Sequence, residues 1–100
     1  SAIEKNDPLI ERFFRDQKQQ LGFFAQILES LMPTYRTHNR MGRGSIQQAL
    51  EKKGIFRSEQ EIRTALQILQ LYQLVQVLRG RGGTGITPLG VRVWEQLCSK

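Results

Sequence analysis

The chain has one cysteine, Cys98, one histidine, His38, and no apolar run approaching the ~20 residues that cross a bilayer. Each scarcity removes a class of function. A single thiol forms no internal disulfide, which fits a reducing compartment and makes the cytoplasm the expected location. One histidine and one cysteine fall short of the three or four protein ligands that a zinc site takes, so no metal is expected. No Ser, His and Asp set at a nucleophile elbow is visible, and side chains for acid, base or nucleophile work are few, so an enzyme is not expected. The amino end does not pair a basic stretch with an apolar run, so nothing there directs export. Cys98 is expected as a half-buried helix residue near the carboxyl end, and His38 falls in a loop.

What is present is enough for one core. A chain of 100 residues with 39% hydrophobic and 24% charged residues has the size and balance of a single domain. Its net charge of +6 and pI near 10.1 imply attraction to polyanions, nucleic acid first and an anionic membrane second. The cations concentrate in the middle of the chain, where Arg36, Arg40, Arg43, Lys52, Lys53 and Arg57 stand against Glu51 alone. Such a run serves equally as a solvated face that keeps a protein in solution, and charge by itself does not separate the two readings.

Punctuation along the chain divides it into elements. Asp7-Pro8 starts a helix, since proline's missing N–H costs nothing in a first turn and aspartate caps it. Apolar residues follow at helical spacing at Leu9, Ile10, Phe13, Phe14, Leu21, Phe24, Ile27, Leu28 and Leu31. A polar gap from Arg15 to Gln20, with Gly22 just after it, leaves open whether this is one long helix or two. Pro33 ends the region, and Thr34 to Gly44 is expected as a loop or short irregular strand. Ser45 is expected to cap a short helix through Ile46, Ala49 and Leu50 to Lys53, closed by a left-handed Gly54. Ser58-Glu59-Gln60-Glu61 has the form of a capping box and opens a helix that buries Ile62, Ala65, Leu66 and Leu69 and ends near Gln73. From Leu74 to Leu78 the residues suit a strand, the glycines between Arg79 and Gly85 force a turn, and Ile86-Thr87 returns. Thr87-Pro88 opens a last helix expected to bury Leu89, Val91, Trp94 and Leu97. The order is helix, helix, helix, hairpin, helix: a mainly α fold with a small β-hairpin.

The residues from Ser58 to Gly85 carry a resemblance. Glu61-Ile62-Arg63-Thr64-Ala65-Leu66, Leu69, Leu74-Val75 and Arg79-Gly80-Arg81-Gly82-Gly83 are similar to the second helix and the wing of bacterial regulators of the gluconate-repressor type. Ile86-Thr87-Pro88-Leu89-Gly90 resembles the exit from the wing in other winged regulators. The interval from Gly54 to Ile62 is longer than that family's usual turn, and Ile3 to Met32 has no counterpart there. The resemblance is therefore to the winged helix-turn-helix superfamily, over roughly the last 55 residues. It implies one structural domain, with an extra N-terminal helical segment over residues 1–33, for packing or dimerisation, and a winged core with a C-terminal helix over 34–100.

The function the resemblance implies is sequence-specific binding of double-stranded DNA as part of a transcriptional regulator. The amino-terminal turns of the second helix would reach base edges, with Ser58, Gln60, Arg63, Thr64 and Gln67 available. Arginine pairs with guanine, glutamine with adenine, and the threonine methyl touches thymine. Arg43, Lys52, Lys53 and Arg57 would hold phosphates, and Arg79 and Arg81 at the wing tip would lie along the minor groove. Ile68, Leu71 and Tyr72 stand where related proteins are often polar, so they need cover. Phe13 and Phe14 would provide it within the chain or across the two-fold axis of a homodimer. A protein-docking winged module and an RNA binder acting through the Arg-Gly wing are the alternatives. Gly80-Arg81-Gly82-Gly83-Thr84-Gly85 has the spacing of a dinucleotide loop, but no helix follows it directly and no parallel sheet surrounds it, so no cofactor is expected.

Overall fold

Pro8 opens the first helix of the computed structural model, which describes residues 8–35, 37, 40–78 and 83–98. Asp7, expected to cap that helix, lies outside the described residues, as do His38, Arg79 and Arg81. The polar gap does divide the N-terminal region. Helix α1 (Pro8–Asp16) ends where the apolar spacing stops, a 3-10 turn covers Lys18–Gln20, and α2 (Leu21–Ser30) begins where the spacing resumes. The break lets both apolar faces meet one core, with the Phe13 and Phe24 rings 5.5 Å apart. Gly22 is exposed in the first turn of α2 and interrupts nothing.

A 3-10 turn at Met32–Thr34 carries Pro33 and closes this half. Thr34 then ties it to the rest, its hydroxyl donating to Leu31 O at 2.6 Å and accepting the Ile86 N–H at 3.0 Å. Helix α3 spans Arg43–Glu51, starting earlier than the expected Ser45 cap and ending earlier than Lys53. Its N-cap is Gly42, whose carbonyl accepts the Ile46 N–H at 3.0 Å, so Ser45 falls inside the first turn. Gly54 closes the helix as expected: at φ 81° it lets Ile55 N–H reach Leu50 O at 3.0 Å and its own N–H reach Glu51 O at 2.9 Å.

Helix α4 (Glu59–Leu71) begins at the capping box its sequence announces. Ser58 Oγ accepts the Glu61 N–H at 3.1 Å, and Glu61 Oε1 accepts the Ser58 N–H at 3.1 Å. Its far end repeats the closing turn of α3 without a glycine. Gln73 takes φ 61°, a conformation that costs a non-glycine residue roughly 1–2 kcal/mol. Thr87 Oγ1 donates to the Gln73 carbonyl at 2.7 Å and helps to hold it there.

Strands β1 (Val75–Leu78) and β2 (Gly83–Ile86) pair antiparallel, Val75 opposite Ile86 and Leu78 opposite Gly83. Met41 adds one bridge on the free side of β2, exchanging N–H···O bonds of 2.9 and 2.8 Å with Thr84. Helix α5 (Pro88–Cys98) starts as Thr87-Pro88 requires, Thr87 Oγ1 accepting the Gly90 N–H at 3.0 Å. Its buried face is rotated from the expected one: Leu89, Gly90, Val91 and Val93 are buried, while Trp94 and Leu97 are half-buried and Cys98 is exposed. Gly90 sets that rotation, because a Cβ there would collide with the Leu74 carbonyl.

Among the described residues, five α-helices and one antiparallel hairpin share a single buried cluster. It joins Ile10 and Phe13 of α1 to Ile27 and Leu28 of α2, Ile46 and Leu50 of α3, Ile62 and Leu69 of α4, and Val93 of α5. Each such side chain contributes about 1.5–3 kcal/mol over its exposed state. Phe13, expected to give cover either within the chain or across a two-fold axis, belongs to this core with 0% exposure. Helix α1 lies across the end of α4, so Tyr72 packs edge-on against Phe13 at 5.4 Å and donates its hydroxyl to Asp16 at 2.9 Å. Phe14 and Ile68 are half-buried against the same core. The cover for these residues is intrachain, and only Leu71 of the group stays exposed, at 79%.

Candidate nucleic-acid interface

The inward stripe of α4 is filled as its spacing requires, with Ile62, Ala65, Leu66 and Leu69 all buried. The opposite face is exposed along Gln60, Arg63, Thr64 and Gln67. This outer face has two flanks. Arg63 and Gln67 turn toward the hairpin, whereas Gln60 and Thr64 line a recess with Gln20 and Phe23 on the α2 side.

The hairpin flank is a groove of about 580 Å³ whose walls include Arg63, Gln67 and Gln70 of α4, Val77, Leu78, Gly83 and Thr84 of the strands, and Arg40, Gly42 and Arg43 at the entry to α3. Among the described residues three arginines line it and no carboxylate does. Neither Arg43 nor Arg63 forms an ion pair with another described residue. Cations left without counter-ions beside glutamine amides can take up anions and hydrogen-bonding edges together.

Arg40 joins this group although its sequence marked it only as one charge of a basic stretch. Its side chain lies over β2, where a Cβ added to Gly85 would stand 2.9 Å from Arg40 Cδ. The signal that points to it is a glycine in a strand, which marks close approach by another chain segment. The glycine cluster led Gly85 to be expected in a turn; the structure places it in β2, as a seat for Arg40.

On the α2 flank the cations are already matched. Lys53 reaches Glu29 Oε2 at 2.8 Å and Gln26 Oε1 at 3.3 Å. Arg57 lies 4.3 Å over the Phe23 ring and pairs with Glu61 at 3.2 Å. Lys52 is exposed in the closing turn of α3, away from the groove. Ser58 is engaged in the cap, its hydroxyl donating to Glu61 Oε1 at 3.3 Å while accepting the Glu61 N–H, which leaves it little to offer a base. The Ser58 N–H holds the Glu61 carboxyl below its ordinary pKa against an opposing effect of desolvation, with further help from the Arg57 guanidinium and the Ser58 hydroxyl. Of the expected phosphate contacts, then, only Arg43 stands in the groove.

No protein-family model, curated protein or solved structure matches this chain. The site must be read from its own chemistry.

Among the described residues no three His, Cys, Asp or Glu side chains gather as a metal site, and no helix is long and apolar enough to cross a membrane. The glycine pattern that mimics a dinucleotide loop places Gly83 and Gly85 inside β2, as strand residues, and Pro88 opens the next helix only after Ile86 and Thr87.

Proposed function

We propose that this chain binds double-stranded DNA as part of a transcriptional regulator, with α4 seated in the major groove as the second helix of a winged helix-turn-helix. The order of elements supports the reading: α2, the Met41 bridge, α3, α4, then the β1–β2 hairpin. At about 1.5 Å per residue the 13 residues of α4 run about 20 Å, and a major groove about 12 Å wide accepts a helix lengthwise. The observation that carries the proposal is the groove in which Arg40, Arg43 and Arg63 converge beside Gln67 with no carboxylate. Arg63 and Gln67 read base edges in this account, Arg40 and Arg43 hold phosphates, and the wing residues Arg79 and Arg81 follow the minor groove.

Titration of a labelled duplex at rising salt tests the proposal. Neutralising two phosphates, at Arg40 and Arg43, gives a slope of log affinity against log salt of about −1.8. Absence of binding at low salt, or a slope near zero, removes it. A second reading, a protein-docking winged module, is favoured by Phe56 and Leu71, which are 75% and 79% exposed. Under that reading Leu71→Asp abolishes function while Arg63→Ala leaves it intact.

A further inference from the structure

Two charged side chains on the outer face of α4 are left unmatched although their spacing allows them to pair. Glu59, the first residue of α4, and Arg63 stand at i and i+4, the order of charges that favours a salt bridge along a helix. Both are exposed, and neither forms an ion pair with another described residue. Glu59 reaches instead toward the start of α3, where its Oε1 lies 3.7 Å from the position a Cβ on Gly44 would take, one residue beyond Arg43 of the groove. Helical spacing continues the same ridge through Arg63 to Gln67 and Gln70, which face the hairpin. A carboxylate thus stands at the leading end of a ridge that otherwise carries a cation and amides, and its charge opposes the approach of phosphates.

A base edge offers what a phosphate does not. Cytosine donates its N4 amino group into the major groove, and a carboxylate accepts it. In a G·C pair that donor lies beside guanine O6 and N7, the two acceptors that an arginine fork takes. Adenine sets its amino group beside N7 and lacks the second acceptor for the fork. A side chain that only accepts and one that only donates, one turn apart, match the G·C edge. From this arrangement we infer that Glu59 accepts the cytosine amino group while Arg63 holds guanine, which makes α4 selective for G·C pairs. The inference rests on the DNA-binding reading above. Where no cytosine amino group meets it, the carboxylate is left against DNA with only its repulsion, so Glu59 also weakens binding to other sequences.

The test compares a duplex of alternating guanine and cytosine with the same duplex carrying N4-methylcytosine, in which a methyl replaces the amino hydrogen that faces the major groove. The wild-type protein binds the methylated duplex about tenfold more weakly, the worth of one hydrogen bond to a charged group. Glu59→Ala binds the two alike, and it binds a duplex of alternating adenine and thymine more tightly than the wild type does. Circular dichroism confirms that the variant is folded, and the wild-type comparison stands without it. Equal wild-type binding to the two G·C duplexes, with the salt slope given above, overturns the inference and leaves the DNA reading standing. A difference that survives in Glu59→Ala also overturns it. So does a Glu59→Ala protein that binds all three duplexes more weakly by one factor, the result for a carboxylate that serves only the start of α3. Failure to bind any duplex at low salt removes both readings.

Discussion

The two flanks of α4 carry similar numbers of cations and differ in what those cations touch. On the α2 side Lys53 is matched to Glu29 and Arg57 to Glu61 and the Phe23 ring, so the flank is electrostatically closed. On the hairpin side Arg43 and Arg63 form no ion pair with another described residue and, with Arg40, line a groove that no described carboxylate enters. Formal charge treats all five alike. What separates a stabilising cation from one offered to a ligand is whether the fold has already supplied its counter-ion.

That contrast can be broken most sharply at Arg63. Arg63→Ala is expected to lower affinity for duplex DNA by about 1–3 kcal/mol, the worth of a bidentate base contact, while the melting temperature stays within a degree or two. Anisotropy titration alongside thermal denaturation measures both. A large loss of stability with unchanged affinity would place Arg63 on the wrong side of the comparison.

The cap where the flanks meet comes next. Ser58→Ala removes the acceptor for the Glu61 N–H and should cost about 1 kcal/mol of stability, read as a lower midpoint in urea. Arg57→Ala and Lys53→Ala have smaller effects still. Each should reduce stability by about 0.2–1 kcal/mol, as expected for partly exposed pairs, and leave duplex affinity and its salt slope unchanged. If Lys53→Ala flattened the salt slope as Arg43→Ala is expected to do, the α2 flank would not be closed.

The smallest effect is the dependence on pH. Because Glu61 is held below its ordinary pKa in the folded protein, its contribution to stability is full above the ordinary carboxylate range and is lost as pH falls through the lowered value. Urea midpoints measured across that acid range should fall less in Glu61→Gln than in the wild type. Equal slopes in the two proteins would show that the cap does not titrate as its hydrogen bonds require.

Local chemistry settled much of the architecture before any contact was known. The Ser58 box, the left-handed Gly54, the Thr87-Pro88 start and the apolar stripe of α4 each depend on residues within a turn or two of one another, so their spacing in the chain is their spacing in space. The exposure of Arg63 and Gln67 follows from the same periodicity. The start of α3 was not legible, because Gly42 offers no side chain to mark a cap and Ser45 imitated one.

What the sequence determined by itself, then, is the run of elements and the face each turns inward, since helical and strand periods are short-range properties. Tertiary structure alone decided which cations are spoken for: Lys53 and Glu29 are 24 residues apart, and the seat of Arg40 on β2 joins the chain before α3 to a strand after α4. It also decided between the two kinds of cover open to Phe13, because the return of α1 over α4 brings Tyr72 to its ring within the chain. Ion pairing and burial between distant segments depend on distances that no local pattern encodes.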